Sequence, residues 1–293
     1  MPELPEVETI ARGLDKRVAG DTIESVWIGS RKQPLKSPAG VIAATLEGRR
    51  IVRVHRAGKH IVFDLEGEAQ SKRGGRAARR KTRQAASLQN IGEGRTAQWI
   101  VHLGMTGRMV VCEPADEIAK HTHLIAKLAS GRELRFIDPR MFGKLSVHDG
   151  GFDPGGVEPL EVTEEKFVEL FRGRKTPIKS ALLNQKLLRG VGNIYADESL
   201  FRAGIRPRRR AAAITRQQFG KLHGAVREVL REAITLGGSS ISDYVDADGE
   251  EGFFQLQHRV YAREGEPCLV CGSAIRRVVL AGRSSHFCAK CQK

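Results

Sequence analysis

Cys268-x-x-Cys271 and Cys288-x-x-Cys291, sixteen residues apart, leave the C-terminal end of this chain few ways to fold. Two knuckles at that spacing close on one tetrahedral zinc. With sulfur at every ligand position there is no place for a metal-bound water, so the expected zinc is structural and holds a small β-hairpin. A thiol–disulfide site needs only one pair. Four of the five cysteines fall in the last 26 residues, and the N-terminus lacks the basic-then-apolar layout of a secretion signal. A reducing compartment, and metal rather than disulfides, is therefore expected. Arg276, Arg277 and Arg283 lie between the two pairs, so the hairpin presents cations that suit phosphate.

Positive charge extends well beyond the hairpin. Lys and Arg number 49 against 34 Asp and Glu, a formal charge of +15. That balance points to a polyanionic partner, nucleic acid ahead of an anionic membrane surface. No apolar run approaches spanning length, so no membrane role is expected, and the location read from sequence is cytoplasmic and nucleoid-associated. At 293 residues the chain has room for two or three modest domains.

Val7, Ile10, Leu14 and Val18 recur every three to four residues, predicting a helix over 5–19 that stops at Gly20. From Thr22 to about Val147 short β-branched runs alternate with Gly and Pro. Seven strands are predicted, at 23–28, 50–55, 60–65, 98–103, 108–111, 123–128 and 134–138, which suggests a β-sandwich. Residues 67–97 interrupt this texture with eight Lys or Arg against two Glu and almost no large apolar residue. They read as a mobile basic insertion, either a DNA-tethering arm or a solvated loop. A Gly- and Pro-rich linker spans 150–162. Beyond it the period becomes helical, with starts at Thr163, at Thr176-Pro177, and at Thr215, where Gln218 completes a capping box. The expected domains are 1–149 (helix plus sandwich), 163–252 (helical) and 253–293 (zinc hairpin).

Four other stretches carry candidate chemistry, each with a plainer reading beside it. Met1-Pro2-Glu3-Leu4-Pro5-Glu6-Val7-Glu8 can be a helix lead-in whose Glu6 and Glu8 complement the helix dipole. Alternatively, trimming of Met1 leaves Pro2 as a free secondary amine. The reference pKa of an α-amino group is roughly 7.7–8.0, so a usable fraction is unprotonated near neutral pH. Such an amine attacks carbonyl-level carbon, with Glu3 as the neighbouring proton carrier. Gly190-Val191-Gly192-Asn193 precedes a helix and can bind phosphate or simply turn the chain. Asp138-Pro139-Arg140-Met141-Phe142-Gly143 can offer an arginine base reader and an apolar wedge. Its plainer reading has Phe142 in the core and Arg140 paired with Asp138. His102-Leu103-Gly104-Met105 invites the same two readings, and His121-x-His123 lacks the carboxylate or thiol that a metal site would add.

Taken together and in order, Met1–Glu8, Gly58-Lys59, His102–Gly107, Asp138–Gly143, Gly190–Gly204 and the cysteine tail resemble the formamidopyrimidine-DNA glycosylase (Fpg/Nei) family. The resemblance runs end to end outside 67–97. It implies an α+β multidomain fold: an N-terminal helix with a β-sandwich, a helix–two-turns–helix domain, and a C-terminal zinc-finger β-hairpin.

The resemblance also implies roles. Pro2 would be the nucleophile, Glu3 the acid for sugar-ring opening, Lys59 a phosphate ligand assisting β-elimination, and Arg283 the arginine of δ-elimination. His102, His121, Lys175 and Asn193 fall on DNA-contacting positions. Met105, Arg140 and Phe142 match the trio that fills the gap left by an everted base and reads its orphan partner. Residues 239–254 match the loop that closes over the lesion. Cys268, Cys271, Cys288 and Cys291 would hold one zinc ion. The implied activity is a monomeric bifunctional DNA glycosylase/AP lyase of base excision repair, acting on duplex DNA that carries oxidised purines and cleaving by β,δ-elimination. The alternatives are a Nei-type enzyme for oxidised pyrimidines, or a non-catalytic zinc-containing DNA-binding module. Three departures stand out: Met141 where the family is often basic, Gly58 where a slightly larger residue is usual, and the insertion at 67–97.

Overall fold

The apolar stripe of the N-terminal segment forms α1 (Leu4–Val18), with Val7, Ile10, Leu14 and Val18 all buried and Lys16 and Arg17 at the negative end of the helix dipole. Gly20 follows with φ +89°, the left-handed conformation that ends a helix most cheaply in glycine. The computed structural model describes residues 1–67, 96–239 and 252–293. Most of the basic insertion therefore lies outside the described residues, as does most of the segment 239–254. The described chain divides into two compact units: Ala11–His55 with His60–Phe152, and Pro2–Ile10 with Arg56–Lys59 and Asp153–Lys293.

In the first unit, β1 (Ile23–Ile28) pairs with β6 (Thr122–Leu128), β6 with β7 (Glu133–Ile137), and β7 with β5 (Arg108–Cys112). A second sheet runs in the order β2 (Arg50–Ala57), β3 (His60–Glu66), β4 (Ala97–His102), β8 (Lys144–His148). The ladders β1–β6, β6–β7, β5–β7, β3–β4 and β4–β8 are antiparallel, and the in-register pair Phe63↔Trp99 stacks its rings 4.6 Å apart. Two elements differ from the sequence reading. Strand β8 was missed because Lys144-Leu-Ser-Val-His148 buries only Leu145, too little alternation to register. Helix α2 (Ala39–Leu46) was missed because Ala-Gly-Val-Ile-Ala-Ala-Thr-Leu is apolar nearly all round and has no amphipathic period.

The second unit holds α3 (Glu164–Phe171), α4 (Ile178–Leu182), α5 (Asn193–Arg202) and α6 (Arg216–Thr235). Its core joins Phe167, Phe171, Tyr195, Leu200, Phe219 and Phe254 with Leu4 from the N-terminal segment. The Thr215 hydroxyl accepts the Gln218 N–H at 3.2 Å while Gln218 Oε1 accepts the Thr215 N–H at 3.1 Å, completing the expected capping box. Helix α4 lacks the side-chain cap expected of Thr176; Pro177 precedes it with no capping bond. The hairpin of β9 (Ile275–Leu280) and β10 (Arg283–Cys288) closes the chain. Its entry is tied to α5 by Glu198, whose buried carboxylate accepts the N–H groups of Arg259, Val260 and Tyr261 at 2.8–3.0 Å. Among the described residues, no helix is long and apolar enough to cross a membrane.

Candidate active site and zinc centre

In the second unit the N-terminal peptide is seated on the Gly-x-Gly turn. The Leu4 N–H donates to the Gly190 carbonyl at 3.0 Å. Gly190 has φ +88°, and a Cβ there would meet Leu4 side-chain atoms at 2.8 Å. Gly192 is tighter: a Cβ would lie 2.1 Å from the Glu3 carboxyl carbon. The Ile194 N–H, in the first turn of α5, donates to Glu3 Oε1 at 3.3 Å. The helix start that could have received phosphate thus receives the chain's own carboxyl group. The glycines make room for it.

Glu3 is only 5% exposed, and its Oε2 has no hydrogen-bond partner. Burial raises its pKa from 4.5 to about 7, against the opposing pull of the Lys59 ammonium. Both the acid and its conjugate base are therefore populated near neutral pH. Glu6 stands behind it. Its Oε2 accepts the Glu3 N–H at 2.8 Å, and its Oε1 accepts the Tyr195 hydroxyl and, at 2.8 Å, the Ser239 N–H. The sequence reading treated Glu6 as a complement to the helix dipole. Its position three residues after Glu3, the spacing of a capping box, was the signal for this backbone bond.

Lys59 lies on the two-residue turn between β2 and β3. Gly58 has φ +61°, and a Cβ there would make only ordinary contacts, so conformation and not space favours glycine at this departure from the family pattern. Arg56 braces the turn: its guanidinium bonds Glu8 and Glu158, each at 2.8 Å, and the Gly58 carbonyl at 3.2 Å. Lys59 is buried. Desolvation lowers its ammonium pKa, Glu3 opposes that, and the charge of Arg283 adds to the lowering. Pro2 is half-buried, and Arg283 is exposed at the first position of β10. Asn193 opens α5 and donates from Nδ2 to Ser284 Oγ at 3.3 Å, while Lys175 is exposed between α3 and α4.

His102, Met105, His121, Arg140 and Phe142 belong to the first unit. There Asp138, fully buried, organises two turns: Oδ1 accepts the Thr106 hydroxyl at 2.7 Å and the Arg140 N–H at 3.3 Å, and Oδ2 accepts the Gly143 N–H at 2.7 Å. A Cβ on Gly104 would strike the Phe142–Gly143 peptide at 2.5–2.6 Å, so the two turns are held backbone against backbone. The plainer sequence reading does not hold. Asp138 is engaged by Thr106 and by two backbone N–H groups, Phe142 is 52% exposed, and the Arg140 guanidinium lies 5.0 Å from the Phe142 ring centroid. Met105 is 43% exposed. His102 Nδ1 accepts the Gly104 N–H at 3.1 Å, and His121 is exposed next to the buried His123.

The four cysteine sulfurs lie within 4.8 Å of one another, with Cys268–Cys291 at 3.9 Å and Cys271–Cys288 at 3.5 Å. Tetrahedral zinc with Zn–S bonds of about 2.3 Å requires sulfurs about 3.8 Å apart. The donor set and its size fit one zinc ion. Among the described residues no other group of three or more His, Cys, Asp or Glu side chains is so arranged. Cys288→Ser should release the metal and weaken DNA binding, read by a chelator colour assay beside a binding titration. Full affinity with no metal would show the hairpin to be dispensable.

Three family models cover the chain: the formamidopyrimidine-DNA glycosylase N-terminal domain over residues 1–145, the formamidopyrimidine-DNA glycosylase H2TH domain over 156–245, and the zinc finger found in FPG and IleRS over 265–293. The chain belongs to the formamidopyrimidine-DNA glycosylase family. Relatives within that family include the formamidopyrimidine-DNA glycosylases of Solibacter usitatus, 44% identical, and Gluconobacter oxydans, 38% identical, each matched over the full length of both chains. The MutM (Fpg) protein of Thermus thermophilus superposes with a TM-score of 0.80 at 39% identity, covering 99% of this chain and 98% of that one. A Lactococcus lactis Fpg mutant bound to Fapy-dG-containing DNA superposes at 0.81, with 30% identity and full coverage of both chains. The expected family fold of helix and sandwich, H2TH domain and zinc hairpin is the one observed.

Sequence reasoning missed four buried acidic groups of the second unit: Glu6, Glu158, Glu198, and Asp197, which pairs with Lys179. Asp197 and Glu198 follow Asn193 on an apparently ordinary helix, and nothing in their spacing marks them as buried.

Proposed function

We propose that Pro2, once Met1 is removed, is the nucleophile of the reaction and Glu3 its acid. As a family member the protein is a DNA glycosylase for oxidised purines in base excision repair, with AP lyase activity. The Pro2 nitrogen attacks C1′ of the damaged nucleotide, the glycosidic bond breaks with its electron pair leaving on the base, and the proton shed by the nitrogen goes to that departing base. Glu3 then gives its proton to O4′, the C1′–O4′ bond opens, and the nitrogen lone pair completes an iminium. That cation withdraws electrons from C2′, whose proton is lost as the C3′–O3′ bond breaks. Lys59 holds the adjoining phosphate, and Arg283 serves the second elimination. His102, His121, Lys175 and Asn193 contact the DNA backbone, and Met105, Arg140 and Phe142 occupy the gap beside the orphan base.

The observation that carries this reading is the state of Glu3. A carboxyl group sealed off at a helix start, with one oxygen unpartnered, is costly to keep ionised. That cost has no use in a module that only binds DNA, whereas a pKa near 7 suits a proton donor working at neutral pH. The exposed Arg140–Phe142 pair supports the gap-filling role. The complex of a relative with Fapy-dG-containing DNA supports lesion-bearing DNA as the substrate, which we take to be double-stranded. The zinc ion, when bound, keeps the hairpin folded so that Arg283 is presented; the chemistry belongs to the protein's own groups. We take the working form to be a monomer located with the nucleoid.

Borohydride reduction on an 8-oxoguanine duplex tests the nucleophile. A covalent adduct is expected with the processed chain and none with Pro2→Gly. Because Pro2→Gly keeps a free terminal amine, a chain carrying an uncleaved N-terminal extension is tested beside it, and an adduct of equal yield in that blocked chain would move the nucleophile elsewhere.

A further inference from the structure

The strands β9 and β10 form a sheet of two, so the edge of β10 away from β9 has no neighbouring strand to satisfy it. Ser284 and His286 are two residues apart on β10, and their backbone groups point to the same edge. The Lys179 ammonium, from α4, donates to the Ser284 carbonyl at 2.6 Å. Asp197 Oδ2, from α5, accepts the His286 N–H at 2.9 Å. The two side chains join in an ion pair of 2.7 Å and are 1% and 0% exposed. One donor and one acceptor at a two-residue repeat are what an adjoining strand would supply. The residue before Ser284 is Arg283, whose charge acts on both Lys59 and Lys179.

Burying two charges gives little net stability, because desolvation consumes most of what the pair returns. Here burial lowers the Lys179 pKa even with Asp197 beside it. What the pair does supply is fixed geometry at the start of β10. We propose that Lys179 and Asp197 act together as a substitute third strand that sets the position of Arg283, and through it the efficiency of the second elimination. Both are positioning residues, too deeply buried to meet sugar or phosphate.

This inference rests on the lyase reading above. In β-elimination the C3′–O3′ electrons leave with the 3′-side phosphate, and the 5′-side fragment keeps an unsaturated sugar. In δ-elimination a C4′ proton is lost and the C5′–O5′ electrons leave with the second phosphate. That fragment then ends in a 3′-phosphate. The two products separate on a gel.

The test is the zinc-loaded full chain acting on an abasic-site duplex, with Lys179→Met and Asp197→Asn combined so that no lone charge stays buried. Borohydride trapping should stay within about two-fold of the parent, while the ratio of δ to β product falls roughly ten-fold, as expected when a charged group is misplaced by a fraction of an ångström. In an Arg283→Gln background the same pair of changes should lower the ratio no further. Should the double variant not fold, Lys179→Arg keeps the charge but alters the reach, and it too should lower the ratio. An unchanged ratio in a folded variant, or a parallel fall in trapping and ratio, overturns the proposal. Loss of trapping in the parent itself would instead remove the lyase reading.

Discussion

Gly192→Ala should cost the enzyme roughly 10²–10⁴-fold in turnover, the range expected when a general acid is lost, although it adds a single methyl group. Gly192 has φ −129° and ψ −162°, extended backbone that alanine adopts freely. Space is the constraint: the new Cβ would sit 2.1 Å from the Glu3 carboxyl carbon and 2.3–2.5 Å from its oxygens. Glu3 must leave its seat on the Ile194 N–H, or α5 must move and carry Asn193 with it. Shortening the acid separates these outcomes. Combining Gly192→Ala with Glu3→Asp withdraws the carboxyl by one methylene and should recover part of the activity if displacement of the acid is the lesion. No recovery, with a shifted thermal midpoint, would point to α5 instead. Full activity of Gly192→Ala would sink the claim that this turn exists to house Glu3.

Glu3→Gln should abolish base excision and, at the same time, stabilise the fold at alkaline pH. The folded pKa of about 7 lies above the ordinary 4.5, so between those values the folded state holds a proton that the unfolded state has released. Stability therefore falls as pH rises through that window. The burden is absent below pH 4.5 and complete above pH 7. A shift of that size corresponds to about 3 kcal/mol. Glutamine carries no charge and escapes it, so urea titrations at pH 5 and pH 8 should show the parent losing about 2.5 kcal/mol more than the variant across the interval. The amide gives back a constant part of this gain at all pH values, because the Oε2 position offers its NH2 no partner. In the parent the alkaline limb of kcat/KM should bend near pH 7 as Glu3 ionises. Equal pH dependence of stability in the two proteins would show that the carboxyl is not buried as described.

The contrast between these residues and those read easily from sequence has a physical origin. The stripe of α1, the capping box of α6 and the cysteine knuckles are local patterns, each complete within about twenty residues, and local periodicity is what a single sequence displays. Strand β8 and helix α2 lie below that threshold, one too short and one too uniformly apolar. The role of Gly192 in housing Glu3 is hidden from local reading for a different reason. A Gly-x-Gly helix start suits phosphate on local grounds, and only the fold shows that Glu3, 189 positions earlier, already fills it. In the plainer of its two readings Asp138 partners the Arg140 side chain, whereas its acceptors are used by Thr106, by Gly143 and by the backbone of Arg140. Pro2 and Glu3 stand out in the sequence as a terminal amine beside a carboxyl group, and Arg283 as a hairpin cation, but their specific roles, and any notice of Lys59, come from family resemblance. Their individual spacing carries no chemical signature.

The N–H groups of Glu3 and Leu4 are both committed, to Glu6 and to Gly190. The first residues therefore cannot slide to compensate for a longer or shorter beginning. While Met1 remains, the Pro2 nitrogen is an amide and has no lone pair to offer, and the core, the capping box and the cysteine cluster are all formed with Met1 in place. If Pro2 is the nucleophile as proposed, trimming of Met1 by an aminopeptidase would switch the enzyme on. A cell that translated this chain without trimming it would accumulate folded, metal-loaded molecules that dock on damaged DNA and shield it from repair.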